Sequence, residues 1–239
     1  MNTKNRFSKL TLNSLFCLLF CGAGLTSVAQ ANQLTIEVEI TNLTKGQIFS
    51  PGVVALHTAW SEPIFRVGSP SSEELAGVAE DAILDPLVAR LESDPDVAMV
   101  GVIQGENVVI LPGETATIRF APAEGRKARR LSLVGMLVTT NDAFYGLNSV
   151  AIGSPFLAQT GTRKTEDFYA LAYDAGSERN TETCDSIPGP PCGNPMVRVT
   201  DGAEGYVYVH SGIHGSGDLS PAEYDWNNPV AKVVVRVGP

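Results

Sequence analysis

Charged residues are scarce in this 239-residue chain, at 18%, and aromatic residues scarcer still, at 7%. With 44% hydrophobic residues, that composition excludes a disordered, collagen-like or coiled-coil polymer and leaves a globular domain. No apolar run reaches the roughly 20 residues that a membrane-spanning helix needs. The sequence has no G-x-S-x-G elbow, no H-E-x-x-H pair and no phosphate-cradling glycine loop, so the local signatures of common hydrolases and nucleotide-binding enzymes are missing. Positive charge is the sign in short supply: 17 Lys and Arg stand against 26 Asp and Glu, a net charge of −9. Such a surface disfavours nucleic acid and anionic lipid as partners and makes cations the natural ligands.

The amino terminus reads as an address. Met1 to Lys9 form a basic region, an apolar stretch runs from Leu10 to Leu25, and Val28-Ala29-Gln30-Ala31 ends in an A-x-A cleavage pattern. The apolar core is too short for an anchor, so residues 1–31 are predicted to be a signal peptide and residues 32–239 one exported domain with no further membrane span. The destination is the periplasm or the extracellular space. Cys21 raises a lipoprotein alternative, but Phe20 is bulky where a lipoprotein signal has a small residue. Cleavage removes Lys4, Arg6 and Lys9 and leaves 14 basic against 26 acidic residues, a net charge of −12. It also leaves two cysteines, Cys184 and Cys192, on either side of the turn-rich segment Asp185 to Pro191. In an oxidising compartment these form a disulfide closing a short loop; half of a metal site is the competing reading.

Leu34 to Ile40 alternates strictly, with Leu34, Ile36, Val38 and Ile40 on one face and Thr35, Glu37 and Glu39 on the other, which predicts a half-buried strand. Further strands are expected at 53–57, 97–103, 108–111, 115–120, 131–138, 169–173, 197–200, 206–210 and 230–237. Many short strands separated by Gly, Pro and Asn turns predict an all-β antiparallel sandwich. The exception is Ser71 to Ser93, where Ser71 and Glu74 suggest a capping box and Leu75, Val78, Leu87 and Leu91 an apolar helical face, broken in two at Asp85-Pro86. The basic run Gly125 to Arg130 falls between two predicted strands and reads as a solvated hairpin loop.

The most informative stretch is Tyr173-Asp174-Ala175-Gly176-Ser177-Glu178. Two carboxylates four residues apart flank a glycine that lets the chain turn sharply. Asn141-Asp142 follows another predicted strand. If both loops leave the same end of the sandwich, Asp142, Asp174 and Glu178 converge and suit a hard cation such as calcium, which takes six to eight oxygen donors. If they do not, the three are ordinary turn carboxylates.

Val138-Thr139-Thr140-Asn141-Asp142-Ala143-Phe144-Tyr145-Gly146-Leu147 followed by Tyr173 to Glu178 resembles the paired signature of the spondin amino-terminal domain, and most of all its secreted bacterial branch. The similarity extends over most of residues 32–239, including a tryptophan at Trp60 and the tail from His210 to Ala231. It implies a β-sandwich similar to calcium-dependent membrane-binding modules, with one short helical insertion and a calcium ion held by Asp142, Asp174 and Glu178. Ala143 stands where the family has tryptophan, Glu178 is one methylene longer than the family's aspartate, and Asn180 replaces a glycine. The adhesive repeats that accompany the animal domain are absent.

Two other readings use the His210 and His214 pair. With Asp218 or Asp225 the imidazoles form a transition-metal site; with Ser211 or Ser216 and Asp225 they sketch a hydrolytic triad. His57, on a strand, reads as structural. The sequence thus points to a secreted calcium-binding module that attaches to an extracellular or envelope ligand and is not an enzyme. A hydrolase built on the histidine loop and a metal-free structural envelope protein are the alternatives.

Overall fold

The strictly alternating segment near the amino terminus forms β1 (Thr35–Asn42), with Ile36, Val38 and Ile40 buried and Thr35, Glu37, Glu39 and Thr41 half-buried. This computed structural model describes residues 35–121, 128–152, 163–193 and 197–238, all within one compact unit. The predicted signal peptide, and residues 125–127 of the basic run, lie outside the described residues. Among the described residues no helix is long and apolar enough to cross a membrane.

β1 lies between β4 (Thr115–Phe120) and β9 (Ala231–Gly238), antiparallel to both. Its outward acids are matched across the strands: Glu37 meets Arg119 at 2.7 Å and Arg236 at 2.9 Å, and Glu39 meets Arg236 at 3.1 Å. One face is therefore polar and the other belongs to the core, the usual state of an antiparallel sheet wetted on one side.

The other half of the sheet is covered on both sides. It comprises β2 (Phe49–His57), β3 (Val97–Ile103), β5 (Arg130–Leu137) and β6 (Ala143–Ala151), and β2 and β5 are buried almost throughout. On the inner side Val54, Leu56, Leu131 and Leu133 share one cluster with Ile36, Val38 and Ile40 of β1 and with Val233 and Val235 of β9. On the outer side Val53, Ala55, Val134 and Phe144 pack with Leu75, Val78 and Ala79 of α1 (Glu73–Asp81) and Leu87 and Leu91 of α2 (Asp85–Ser93). The two helices are the predicted insertion. Ser72 caps α1 through Leu75 N–H, one residue beyond the expected Ser71, and Pro86 stands in the first turn of α2.

The long strand β7 (Lys164–Asp174) joins the halves: Lys164 to Ala170 pair with β9, and Leu171 to Asp174 pair with β6. The hydrogen-bonded order is β3-β2-β5-β6-β7-β9-β1-β4, with the two-residue β8 (Tyr208–Val209) added to the end of β7. All these pairings are antiparallel, and the path turns back on itself into a nearly closed, barrel-like sheet. The fold is all-β, as the sequence predicts. A one-turn helix, α3 (Pro221–Tyr224), precedes β9.

Some expectations shift. Residues 108–111 make isolated bridges, including Phe49 to Ile110, and 197–200 form no strand. The segment 143–151 is a full strand although it carries Gly146, Asn148 and Ser149, weak strand formers whose place is settled by the neighbours β5 and β7. β4 and β5 are not sheet neighbours, so the basic run between them does not close a hairpin. His57 is buried at the end of β2, with Nδ1 2.7 Å from the Thr58 carbonyl and Nε2 2.9 Å from Ser132 Oγ, a structural role.

Candidate functional site

β5 ends at Leu137 and β6 begins at Ala143, so the intervening residues must reverse the chain within a few positions. Thr140 secures the turn: its hydroxyl donates to the Leu137 carbonyl at 2.6 Å and accepts Ala143 N–H at 3.1 Å. Asn141 and Asp142 are buried as a result. Ala143 pairs with Asp174, the last residue of β7, and Ala175 N–H donates to the Asp142 carbonyl at 3.1 Å. The two turns that the sequence singled out therefore leave the same end of the sheet, side by side.

The second turn closes on Asp174 itself, whose Oδ1 accepts Gly176 N–H at 2.7 Å. Gly176 has φ +67, and a Cβ there would collide with the Tyr206 main chain, so glycine is required twice over. The next residues reach back to the first turn. Asp142 Oδ2 accepts Ser177 N–H at 2.8 Å, Ser177 Oγ–H at 3.2 Å and Glu178 N–H at 3.0 Å. Asp142 Oδ1, equally buried, has no hydrogen-bond partner among the described residues.

Around Asp174 lies a polar chain. Asn180 Nδ2 donates to Asp174 Oδ2 at 2.6 Å and to Tyr208 Oη at 3.1 Å, and Asn180 Oδ1 lies 3.2 Å from His210 Nε2. His210 Nδ1 accepts Gly212 N–H at 3.0 Å, so the ring carries its proton on Nε2, facing Asn180 and, 3.7 Å away, Asp174 Oδ2. Burial pushes His210 down to about 4, which keeps the imidazole neutral at physiological pH. Neither Asp142 nor Asp174 meets a Lys or Arg among the described residues. Burial, reinforced by the neighbouring Asp174 charge, raises Asp142 to about 8; burial also raises Asp174.

Glu178 is divided. Its main-chain N–H serves Asp142, but its carboxylate points elsewhere: Oε1 accepts Val199 N–H at 2.9 Å and Oε2 accepts from Asn141 Nδ2 at 3.5 Å. Burial and the nearby Glu80 charge raise it to about 7. Glu80 and Asp81 are in turn held by Arg198, the former at 2.6 Å. The structure thus brings Asp142 and Asp174 together and engages the Glu178 carboxylate with Val199 N–H and the Asn141 amide. Among the described residues, no cluster of three or more His, Cys, Asp or Glu has the arrangement of a metal site.

The disulfide between Cys184 and Cys192 is formed, with Cα atoms 4.8 Å apart. Its loop braces the site: Ser186 Oγ accepts from Asn141 Nδ2 at 3.0 Å, and the Pro190 carbonyl accepts from Thr139 Oγ1 at 2.9 Å. His210 and His214 differ in burial and share no hydrogen-bond partner among the described residues. His210 is buried against Asn180, whereas His214 is exposed and its main-chain N–H donates to Glu182 Oε1 at 2.7 Å. Asp218 accepts Cys184 N–H and Asp225 accepts Ile213 N–H, so both cap loops. Sequence reading missed Asn180 and Tyr208 as partners of Asp174; an alternating polar side chain six residues after an Asp-x-Gly turn carries no signal of its own. No protein-family model and no curated protein matches the chain.

Proposed function

We propose that this chain is an exported β-sandwich module of the spondin type that binds calcium at the paired turns after β5 and β7 and uses that end of the fold to attach to an envelope or extracellular ligand, without catalysis. Asp142 Oδ1 carries the reading. Among the described residues it is a carboxylate oxygen with no exposure and no partner, next to a second buried carboxylate, and no Lys or Arg there offsets either. Leaving such a group unpaired costs several kcal/mol, at least about 1–3 for the missing hydrogen bond alone. A hard cation removes that cost, and the surrounding donors are oxygens of the type calcium prefers. Asp142 and Asp174 would hold the ion. Glu178 belongs to the site by its position in the second turn, where its main-chain N–H serves Asp142 and its carboxylate accepts Val199 N–H.

The resemblance of 138–147 and 173–178 to the paired spondin segments supports the same assignment. A second reading rests on the raised Asp142: a proton shared by the two carboxylates would also neutralise them, leaving a metal-free structural module. Calcium titration followed by thermal unfolding separates the two, since an ion that binds only the native state must raise the midpoint. A calcium-dependent rise, absent with magnesium at matched ionic strength and lost in Asp174→Asn, is the expected result. No rise, or a rise unchanged in that variant, leaves the protonated pair as the description of the site.

A further inference from the structure

A second feature lies at the opposite end of the same strands. β2 ends at His57, β3 begins at Val97, β5 begins at Arg130 and β6 ends at Ala151, so these four termini meet at one rim. The carboxylate turns lie beyond the other ends of β5 and β6, about 24 Å away at the rise of an antiparallel strand. The rim holds a cleft of about 670 Å³ lined by Thr58, Trp60, Asp96, Arg129, Arg130 and Ile152. Its size is that of a small-molecule or oligosaccharide site.

Three properties of the lining limit what the cleft can take. Trp60 is 86% exposed, a large apolar surface, whereas the other tryptophan, Trp226, is buried. Arg129 and Arg130 have no carboxylate partner among the described residues, although acids outnumber bases in the chain; Arg130 Nη1 donates instead to the Ser149 carbonyl at 2.7 Å. Asp96 lines the cleft and uses Oδ1 to accept Thr58 Oγ1–H at 2.7 Å, and its Oδ2 has no side-chain donor among the described residues. An indole face stacks on the C–H face of a pyranose ring, a guanidinium fork pairs with a carboxylate, and an aspartate accepts from hydroxyl groups. A purely anionic ligand without hydroxyl donors, such as a phosphate, would meet Asp96 as a repulsion.

We propose that this cleft binds an acidic sugar, with a pyranose ring on Trp60, its carboxylate on Arg129 and Arg130, and hydroxyl groups on Asp96. The site is independent of the calcium assignment and names a ligand class for a binding module. The test uses the purified, disulfide-bonded protein in chelator, because calcium itself bridges acidic sugars. An oligogalacturonate, a neutral oligosaccharide of equal length and an oligoglutamate peptide are titrated, with calorimetry and tryptophan fluorescence as readouts.

The expected result is saturable binding of the oligogalacturonate with a fluorescence change, at least tenfold weaker binding of the other two probes, and a tenfold loss in both Trp60→Ala and Arg129→Gln. Both positions are exposed, so unchanged melting temperatures verify that the variants fold. Equal binding of oligoglutamate, unchanged affinity in either variant, or absence of saturable binding overturns the proposal. Binding that appears only with calcium and disappears in Asp142→Asn also overturns it, and assigns the sugar to the other end of the sheet.

Discussion

Glu178 and Asp142, 36 residues apart, are joined by a main-chain N–H donating to Oδ2 at 3.0 Å, while the Glu178 carboxylate accepts Val199 N–H at 2.9 Å and Asp142 Oδ1 is left without a partner among the described residues. The backbone of one turn thus stabilises half of a buried carboxylate and leaves the other half to something else. That asymmetry separates Asp142 from an ordinary turn aspartate.

Replacing Asp142 with asparagine keeps an acceptor for Ser177 and Glu178 N–H and removes the charge that Asp174 opposes. In chelator at pH 8 the melting temperature of Asp142→Asn is expected to equal or exceed that of the parent, and calcium no longer raises it. Asp142→Ala strands both N–H groups and should cost about 1–3 kcal/mol in urea unfolding. Equal loss in the two variants would show that charge is not the issue at this position.

The pH dependence in chelator follows from the same groups. Asp142 near 8 and Glu178 near 7 lie above their ordinary values of 3.8 and 4.5, so the native state retains protons that the unfolded chain has released. Their contribution to stability is complete below the ordinary values and is lost as pH rises through 7 and 8. His57 and His210 are lowered by burial and act in the opposite direction up to their ordinary value of 6.5. Above pH 6.5 the carboxylates alone remain, and urea stability should fall by roughly 1–3 kcal/mol between pH 6.5 and 8.5. Saturating calcium should flatten that slope; a stability that climbs over this interval in chelator contradicts the assignment.

Opening the disulfide should be felt at the carboxylates. Cys192→Ser frees a nine-residue loop, which costs about 2–3 kcal/mol by chain entropy. It also loosens Ser186, the acceptor for Asn141, whose own carbonyl oxygen accepts Thr181 N–H at 3.1 Å. Calcium affinity measured by calorimetry is therefore expected to drop severalfold, with Ser186→Ala giving part of the same loss while the disulfide remains intact. Wild-type affinity in both variants would reduce the loop to a bystander.

Inside the covered half of the sheet, Tyr145 is fully buried and lies across Gly135, its partner in register, while its hydroxyl donates to the Ser50 carbonyl at 3.0 Å. A Cβ at residue 135 would occupy the space of the phenol ring. Gly135→Ala should cost about 1–3 kcal/mol through displacement of Tyr145, read as a lower urea midpoint at unchanged slope. A neutral outcome would mean that the ring has room to move.

Much of this architecture was legible in local patterns. The alternation from Ile36 to Ile40, the broken helix with Pro86 in its second half and the cysteine pair around a turn-rich loop each depend on residues a few positions apart, and each is found in the structure. The nearness of Asp142 and Asp174 was legible only as a condition, that two loops share one end of the sheet. Tertiary structure decided the rest. Strand β6 exists because β5 and β7 flank it, β2 and β5 are buried on both faces because helices cover one of them, and His210 is buried against Asn180 while His214, four residues on, is exposed. Periodicity and turn chemistry are short-range properties that a sequence states directly. Desolvation is not: whether a carboxylate is bathed in water or stripped of it depends on segments brought across the sheet from tens of residues away, and that made Asp142 something other than a turn residue.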